Sequence, residues 1–239
     1  MATSAAELVD LLALKTAGVL SGAVAHERTL PLLAEFEHLL PGSVVQRGSI
    51  IGCHGSAAVS LALAVAAGPS AAGAWVGVAG MPSLGAAAAG EMGVALERLV
   101  VVSEPATGFD DRRWGEVLAA MVDGFDVLLL GPILQHLRPA TARRVASRAQ
   151  ARGAVIIVVS PSERSNVFAT DLRFGAAQAE WTGLGAGHGV ARGRRVTVEL
   201  VGRRVPRPRR CELLLPGDDG RVQVAVPAPP RLHQLHRAG

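Results

Sequence analysis

Between residues 43 and 165 the chain alternates short apolar runs with longer stretches of helical spacing. The runs at 44–52, 74–79, 98–103, 125–131 and 153–159 predict strands, and 57–67, 83–93, 112–123 and 139–151 predict helices. Val127-Leu128-Leu129-Leu130 and Val155-Ile156-Ile157-Val158-Val159 are continuously apolar, the pattern of strands buried on both faces. Strands that alternate with helices predict an α/β fold with a mainly parallel sheet and crossover helices. After 165 the runs shorten, at 169–174, 177–182, 195–201, 210–215 and 221–226. Glycine, arginine and proline separate them, and Pro216-Gly217-Asp218-Asp219-Gly220 is a turn, so antiparallel strands are expected there.

Ahead of the alternating region, Ala5, Leu8, Leu11, Leu12 and Val19 have helical spacing, and Ser4 with Glu7 forms a capping-box pattern. Residues 29–40 read as a second short helix, with Pro31 near its first turn and Leu40-Pro41-Gly42 ending it. The chain thus divides into an N-terminal helical arm (1–40), a domain with a C-terminal strand extension (41–226) and a tail (227–239). The tail has no packing pattern, although Leu232 and Leu235, flanked by Arg231 and Arg237, would form a short amphipathic segment on a partner.

Composition narrows this picture in three ways. The 239 residues include 49% hydrophobic ones but no tyrosine and few other aromatics, so Ala, Val, Leu and Ile must build the core. The net charge of +4 is carried by arginine, Lys15 being the only lysine, and it points only weakly to an anionic partner. Cys53 and Cys211 are too isolated for a metal knuckle or a redox pair, and a disulfide between them is not expected in a cytosolic protein. The N-terminus lacks the pattern of a secretory signal. Gly68, Pro69, Gly73 and Pro82 interrupt the apolar stretch 57–90, which reads as buried helix, loop and strand and not as a membrane span.

The stretch Ser49 to Ser60 has the strand–glycine turn–helix layout of a phosphate-binding loop. Such a loop needs a glycine, four residues, then Gly-Lys-Ser/Thr. Here Gly52 is followed after four residues by Ala57, Ala58 and Val59, which can neither neutralise phosphate charge nor hold Mg²⁺. Gly80 or Met81 stands where a second strand would end in a catalytic glutamate. Gly131-Pro132 stands where a later strand would end in a magnesium-binding aspartate, and Asp126 lies at that strand's opposite end. Three stations of phosphoryl-transfer chemistry are vacant.

Three further stretches complete the pattern. Leu40 to Ser49 lead into the degenerate loop, Met92 to Val100 lead into a strand, and Trp181-Thr182-Gly183-Leu184-Gly185-Ala186-Gly187-His188-Gly189 precedes an arginine-rich segment. Together they resemble the RecA core, and the whole, over about residues 30–226, is similar to the actinobacterial ImuA-prime family of RecA-like mutasome accessory proteins. The resemblance implies a RecA-like fold and a non-catalytic adaptor in damage-induced mutagenesis and translesion synthesis. It implies an ImuB-like inactive Y-family polymerase as partner, RecA as a further one, an error-prone C-family polymerase in the same assembly, and a cytoplasmic or nucleoid-associated setting.

The residues available for such contacts are Arg192, Arg194, Arg195, Arg203, Arg204, Arg207, Arg209 and Arg210, with Glu199 the only acid among them, together with Arg231, Leu232 and Leu235 of the tail. Arginines of this density serve DNA phosphates or acidic protein surfaces equally well. The row Arg144, Arg148 and Arg152 reads first as a solvated helix face. The alternating Gly183, Gly185, Gly187 and Gly189 read as a hairpin connection. No cofactor and no metal are expected; His188 has no potential co-ligand near it in sequence. Two other readings stay open: a divergent RecA-family ATPase, and a DNA-binding module.

Overall fold

The computed structural model describes residues 28–162, 166–184, 188–203 and 205–225. The helix expected over 4–20, the tail 227–239 with Arg231, Leu232 and Leu235, and Arg204 lie outside these residues. The described chain runs β1 (Thr29–Pro31), β2 (Val44–Gln46), β3 (Ile50–Gly55), α1 (Ala58–Ala71), β4 (Val76–Ala79), α2 (Ala86–Glu91), β5 (Leu99–Val102), α3 (Asp111–Gly124), β6 (Val127–Leu130), α4 (Pro139–Arg152), β7 (Val155–Ser160), β8 (Leu172–Trp181), β9 (Arg194–Gly202), β10 (Val205–Leu214) and β11 (Gln223–Val224). One sheet of nine strands has the order β11-β10-β9-β8-β3-β7-β6-β4-β5. The strands from β8 to β5 are parallel, and β9, β10 and β11 extend the sheet in antiparallel fashion. The fold is therefore α/β, with a large, mostly parallel mixed sheet.

Both faces of the parallel part are covered. Alternate residues of each strand enter different cores because successive side chains point to opposite faces. Ile51, Val78, Leu129 and Ile157 pack with α1 and the N-terminal segment, while Leu128, Leu130, Ile156 and Val158 pack with α3 and α4. Helix α1 is buried without interruption from Leu61 to Ser70, enclosed between the sheet and residues 30–39. Helix α3 buries only Trp114, Leu118, Met121 and Val122, a single stripe. Asp110 caps it, accepting a bond from the Arg113 amide at 2.7 Å. Gly153, in the left-handed region at φ 74°, ends α4.

The helix expected over 29–40 is not formed. Thr29–Pro31 pairs antiparallel with Val44–Gln46, and only Ala34–Phe36 makes a 3₁₀ turn. The reason is tertiary. The segment crosses α1 at Gly68, where an added Cβ would lie 2.5 Å from the Leu32 carbonyl carbon. Extended backbone there lets Leu30, Leu32, Phe36 and Leu39 all reach the core, and Phe36 meets Phe174 of β8 edge-on at 5.7 Å. The strand expected over 44–52 is two strands, broken at Gly48 (φ 80°), which packs against the backbone of Gln150. The runs 169–174 and 177–182 are one strand, β8, bulged at Gln178.

Candidate functional site

The site follows from the sheet order. β3 runs into α1 on one face, whereas the chain after β7 passes to the other face, where Phe168 packs among α3 and α4 residues. Neighbouring parallel strands whose connections leave toward opposite faces open a crevice at their carboxyl ends, the usual ligand position in such sheets. Here the crevice measures about 320 Å³ and is lined by Gly55–Ser60, Pro132, Val159, Ser160, Pro161 and Arg194.

The loop within it departs further from a phosphate loop than the sequence foretold. Gly52, expected to open a phosphate loop, lies inside β3, buried and paired with Val158 and Arg173. The strand continues to Gly55, whose φ of 97° makes the turn, and a Cβ there would lie 2.2 Å from the Ala176 carbonyl oxygen. Only Ser56 and Ala57 separate β3 from α1, so the chain lacks the slack to wrap around phosphates. Ala57 and Ala58 are buried at the head of α1, and Val59 is exposed. Among the described residues, Arg194 is the only charged one lining the crevice. Its guanidinium donates to the Ser56 carbonyl at 2.9 Å and lies 5.4 Å from the centre of the Trp181 ring, so it clasps the loop backbone.

The two acid stations are closed by packing. β4 and β6 are neighbours, and the Gly131 amide bonds the Ala79 carbonyl at 2.8 Å, just past both strand ends. A Cβ on Gly131 would lie 2.1 Å from the Gly80 carbonyl oxygen and 2.3 Å from the Met81 side chain. Leu134 fills the space beside Gly80. No carboxylate fits on Gly131 unless the two strands move apart. Asp126, at the opposite end of β6, accepts from the Trp75 amide at 3.1 Å and pairs with Arg47 at 3.2 Å.

The arginines of 192–210 do not form one surface. Arg195 and Arg210 lie on the uncovered face of the antiparallel strands, paired with Glu212 at 2.7 Å and Glu199 at 2.8 Å. Arg209 points to the other face and donates to the Leu39 carbonyl at 3.1 Å. Arg194 holds the crevice loop, and Arg192, Arg203 and Arg207 are exposed. Sequence proximity showed Glu199 but not these pairings, because the partners sit on neighbouring strands: Glu199 faces Arg210 in register. On α4, Arg148 and Arg152 both clasp Asp123 of α3, and Arg144 donates to Thr141. Hydrogen bonding from Arg148 holds the Asp123 carboxyl below the usual range. Of the glycine-rich stretch, residues 185–187 lie outside the described residues; Leu184 and Gly189 on either side of them form an antiparallel bridge.

Burial pushes the Cys53 thiol far above its ordinary range and that of Cys211 up to about 11, so neither is a nucleophile at neutral pH. Among the described residues, no three His, Cys, Asp or Glu side chains converge on a metal position, and no helix is long and apolar enough to cross a membrane.

Comparison with known families bears on the part of the chain that builds this crevice. The family model for the MT3502 N-terminal domain matches residues 38–164, more than half of the chain. The chain belongs to the MT3502 N-terminal domain family. The match carries β2 to β7 and all of the crevice lining except Arg194; the antiparallel strands and their arginines fall outside it. A relative in Mycobacterium tuberculosis, the uncharacterized protein Rv3395c, is 38% identical over 103 residues, which is 43% of this chain and 48% of the relative. The chain thus spans about half the length of the curated relative it matches.

Proposed function

We propose that the protein is a non-catalytic, RecA-like adaptor of damage-induced mutagenesis that binds an ImuB-like inactive polymerase. The observation that carries the non-catalytic half is the closure of the β4 and β6 ends, where Gly131 has no room for a side chain against the Gly80 carbonyl. The straight course of β3 supports it: two residues, Ser56 and Ala57, stand where a loop would hold phosphates, and an arginine binds a backbone carbonyl where a lysine would meet an anion. A nucleotide-type crevice kept in shape but emptied of its chemistry fits a scaffold whose surfaces do the work.

The pathway and partner rest on the resemblance to the ImuA-prime family. The mycobacterial relative accords with an actinobacterial kinship and brings no activity to this chain. The test is co-purification with the ImuB-like protein of the same organism, using the full chain and a chain ending at Val226. Retention by the full chain supports the adaptor, and loss on truncation assigns the contact to the tail that carries Arg231, Leu232 and Leu235. Failure of both folded chains to bind overturns the pathway. Calorimetry with Mg-ATP tests the other half, and stoichiometric binding would overturn the closed-site reading.

A second reading, a DNA-binding module, draws on the exposed Arg192, Arg203 and Arg207. It predicts affinity that falls steeply with salt and weakens when Arg203 and Arg207 are replaced. The pairing of Arg195 and Arg210 with carboxylates removes two cations from that surface.

A further inference from the structure

The two edges of the sheet differ in kind. At one end β11 is two residues long, Gln223–Val224. At the other, β5 is Leu-Val-Val-Val, paired with β4 along one side and, among the described residues, open along the other. Its parallel neighbours β4, β6 and β7 are buried at every position. Along β5, in contrast, Val100 is 38% and Val101 45% exposed, and they point to opposite faces. Leu96 and Trp75 extend the apolar surface on either side. Edge strands are ordinarily protected by charge, proline or a bulge, and β5 has none of these along its length.

We infer that the β5 edge pairs antiparallel with β5 of a second copy of this chain, about a two-fold axis at Val101. The flanking charges select this occupant and this register. With Val101 opposite itself, Val100 faces Val102 and Leu99 faces Ser103, and Arg98 of each copy stands opposite Glu104 of the other. Val100 and Val102 share one face by strand alternation; Arg98 closes the 3₁₀ turn Leu96–Arg98 just before β5 and Glu104 follows two residues after it, so continuing the pairing past both strand ends sets the two ion pairs beside the valines. Moving the axis to between Val100 and Val101 sets Glu97 against Glu104, and moving it to Val100 sets Leu96 against Glu104; neither brings opposite charges together. Both partners retain bonding capacity. Arg98 uses one nitrogen on the Gly73 carbonyl and lies 6.0 Å from the Trp75 ring centre, and Glu104 accepts one bond from the Phe109 amide. The pairing is isologous and closed, joining two sheets into one and leaving the tail edge outside the contact. It is independent of the adaptor reading and stands or falls by different measurements.

The test is analytical ultracentrifugation of the full chain over a wide concentration range, with variants at the axis and the charge pair. The expected result is a dimer that dissociates on dilution and is lost in Val101→Glu, a substitution at a half-exposed position whose folding circular dichroism checks. Arg98→Glu and Glu104→Arg each shift the equilibrium to monomer, and the two together restore the dimer. Val101→Cys in a Cys211→Ala background, oxidised and digested, gives a cross-linked peptide joining residue 101 to residue 101. A chain that is monomeric at all concentrations overturns the inference, as does a dimer indifferent to Val101→Glu or one that the double charge exchange does not restore. A cross-link from position 101 to any other residue also overturns it and assigns the edge to a different segment.

Discussion

Replacing Gly131 with alanine tests the closed acid station directly. Gly131 has φ −84° and ψ 176°, a conformation alanine adopts freely, so any cost is steric. The added Cβ would lie 2.1 Å from the Gly80 carbonyl oxygen and 2.3 Å from Met81 Cγ, when real contacts of this kind stay beyond about 3 Å. Met81 can rotate, but the Gly80 carbonyl belongs to backbone held by the bond from Gly131 to Ala79. Relief requires β4 and β6 to part by nearly 1 Å at their ends. Weakening that hydrogen bond costs about 1 kcal/mol and overpacking a further ~1–3 kcal/mol, so we expect a loss of about 3 kcal/mol. For a domain of this size that lowers the melting temperature by roughly 6–12 °C. The assay is urea and thermal unfolding beside Gly124→Ala, where an added methyl meets nothing within 4 Å and the variant should match or slightly exceed wild type. If Gly131→Ala melts within a degree or two of the wild type, the strand ends have room for a side chain. The steric case against an acid there would then be refuted.

Three further outcomes follow from other parts of the structure. Asp123→Asn should lower stability at neutral pH, and the loss should shrink as the pH falls below about 4: the folded carboxyl is held below its unfolded range, so its contribution is fully present above the unfolded value and is lost as pH falls through the folded one; urea midpoints over a series of pH values check this. Arg194→Ala should cost about 1–2 kcal/mol by removing the bond to Ser56 and the stack on Trp181, and should shift Trp181 fluorescence; an unchanged spectrum and midpoint would contradict the clasp. Neither thiol should react with a thiol reagent in the native protein at pH 8, and both should react in denaturant, since burial pushes Cys211 up to about 11 and Cys53 higher still; rapid native labelling would show the core to be open.

Much of the site was legible before the structure because it is written as residue types that cannot do certain chemistry. Alanine and valine at 57–59 and glycine at 80 and 131 offer no side chain to phosphate or magnesium at those positions wherever the backbone goes. The geometry was not legible. That Gly52 lies within β3 depends on β7 and β8 flanking it, which its own neighbours in sequence do not reveal. The arginines of 192–210 looked like one basic cluster because their carboxylates, Glu199 and Glu212, become neighbours only through β9–β10 register.

By itself the sequence determined the alternation of buried strands and crossover helices, because periodicity and continuous apolar runs are local properties that burial on one face or two imposes. It also determined that positions 57–59, 80 and 131 carry no lysine, hydroxyl or carboxylate, since side-chain chemistry does not depend on fold. Only the tertiary structure decided the order of the strands and hence the crevice between β3 and β7. It alone decided the extended course of residues 29–40 across Gly68, the contact that forbids a side chain at Gly131 and the open apolar edge of β5. Each of these depends on which distant segments meet, and that is set by the packing of the whole sheet and not by any residue's own preference.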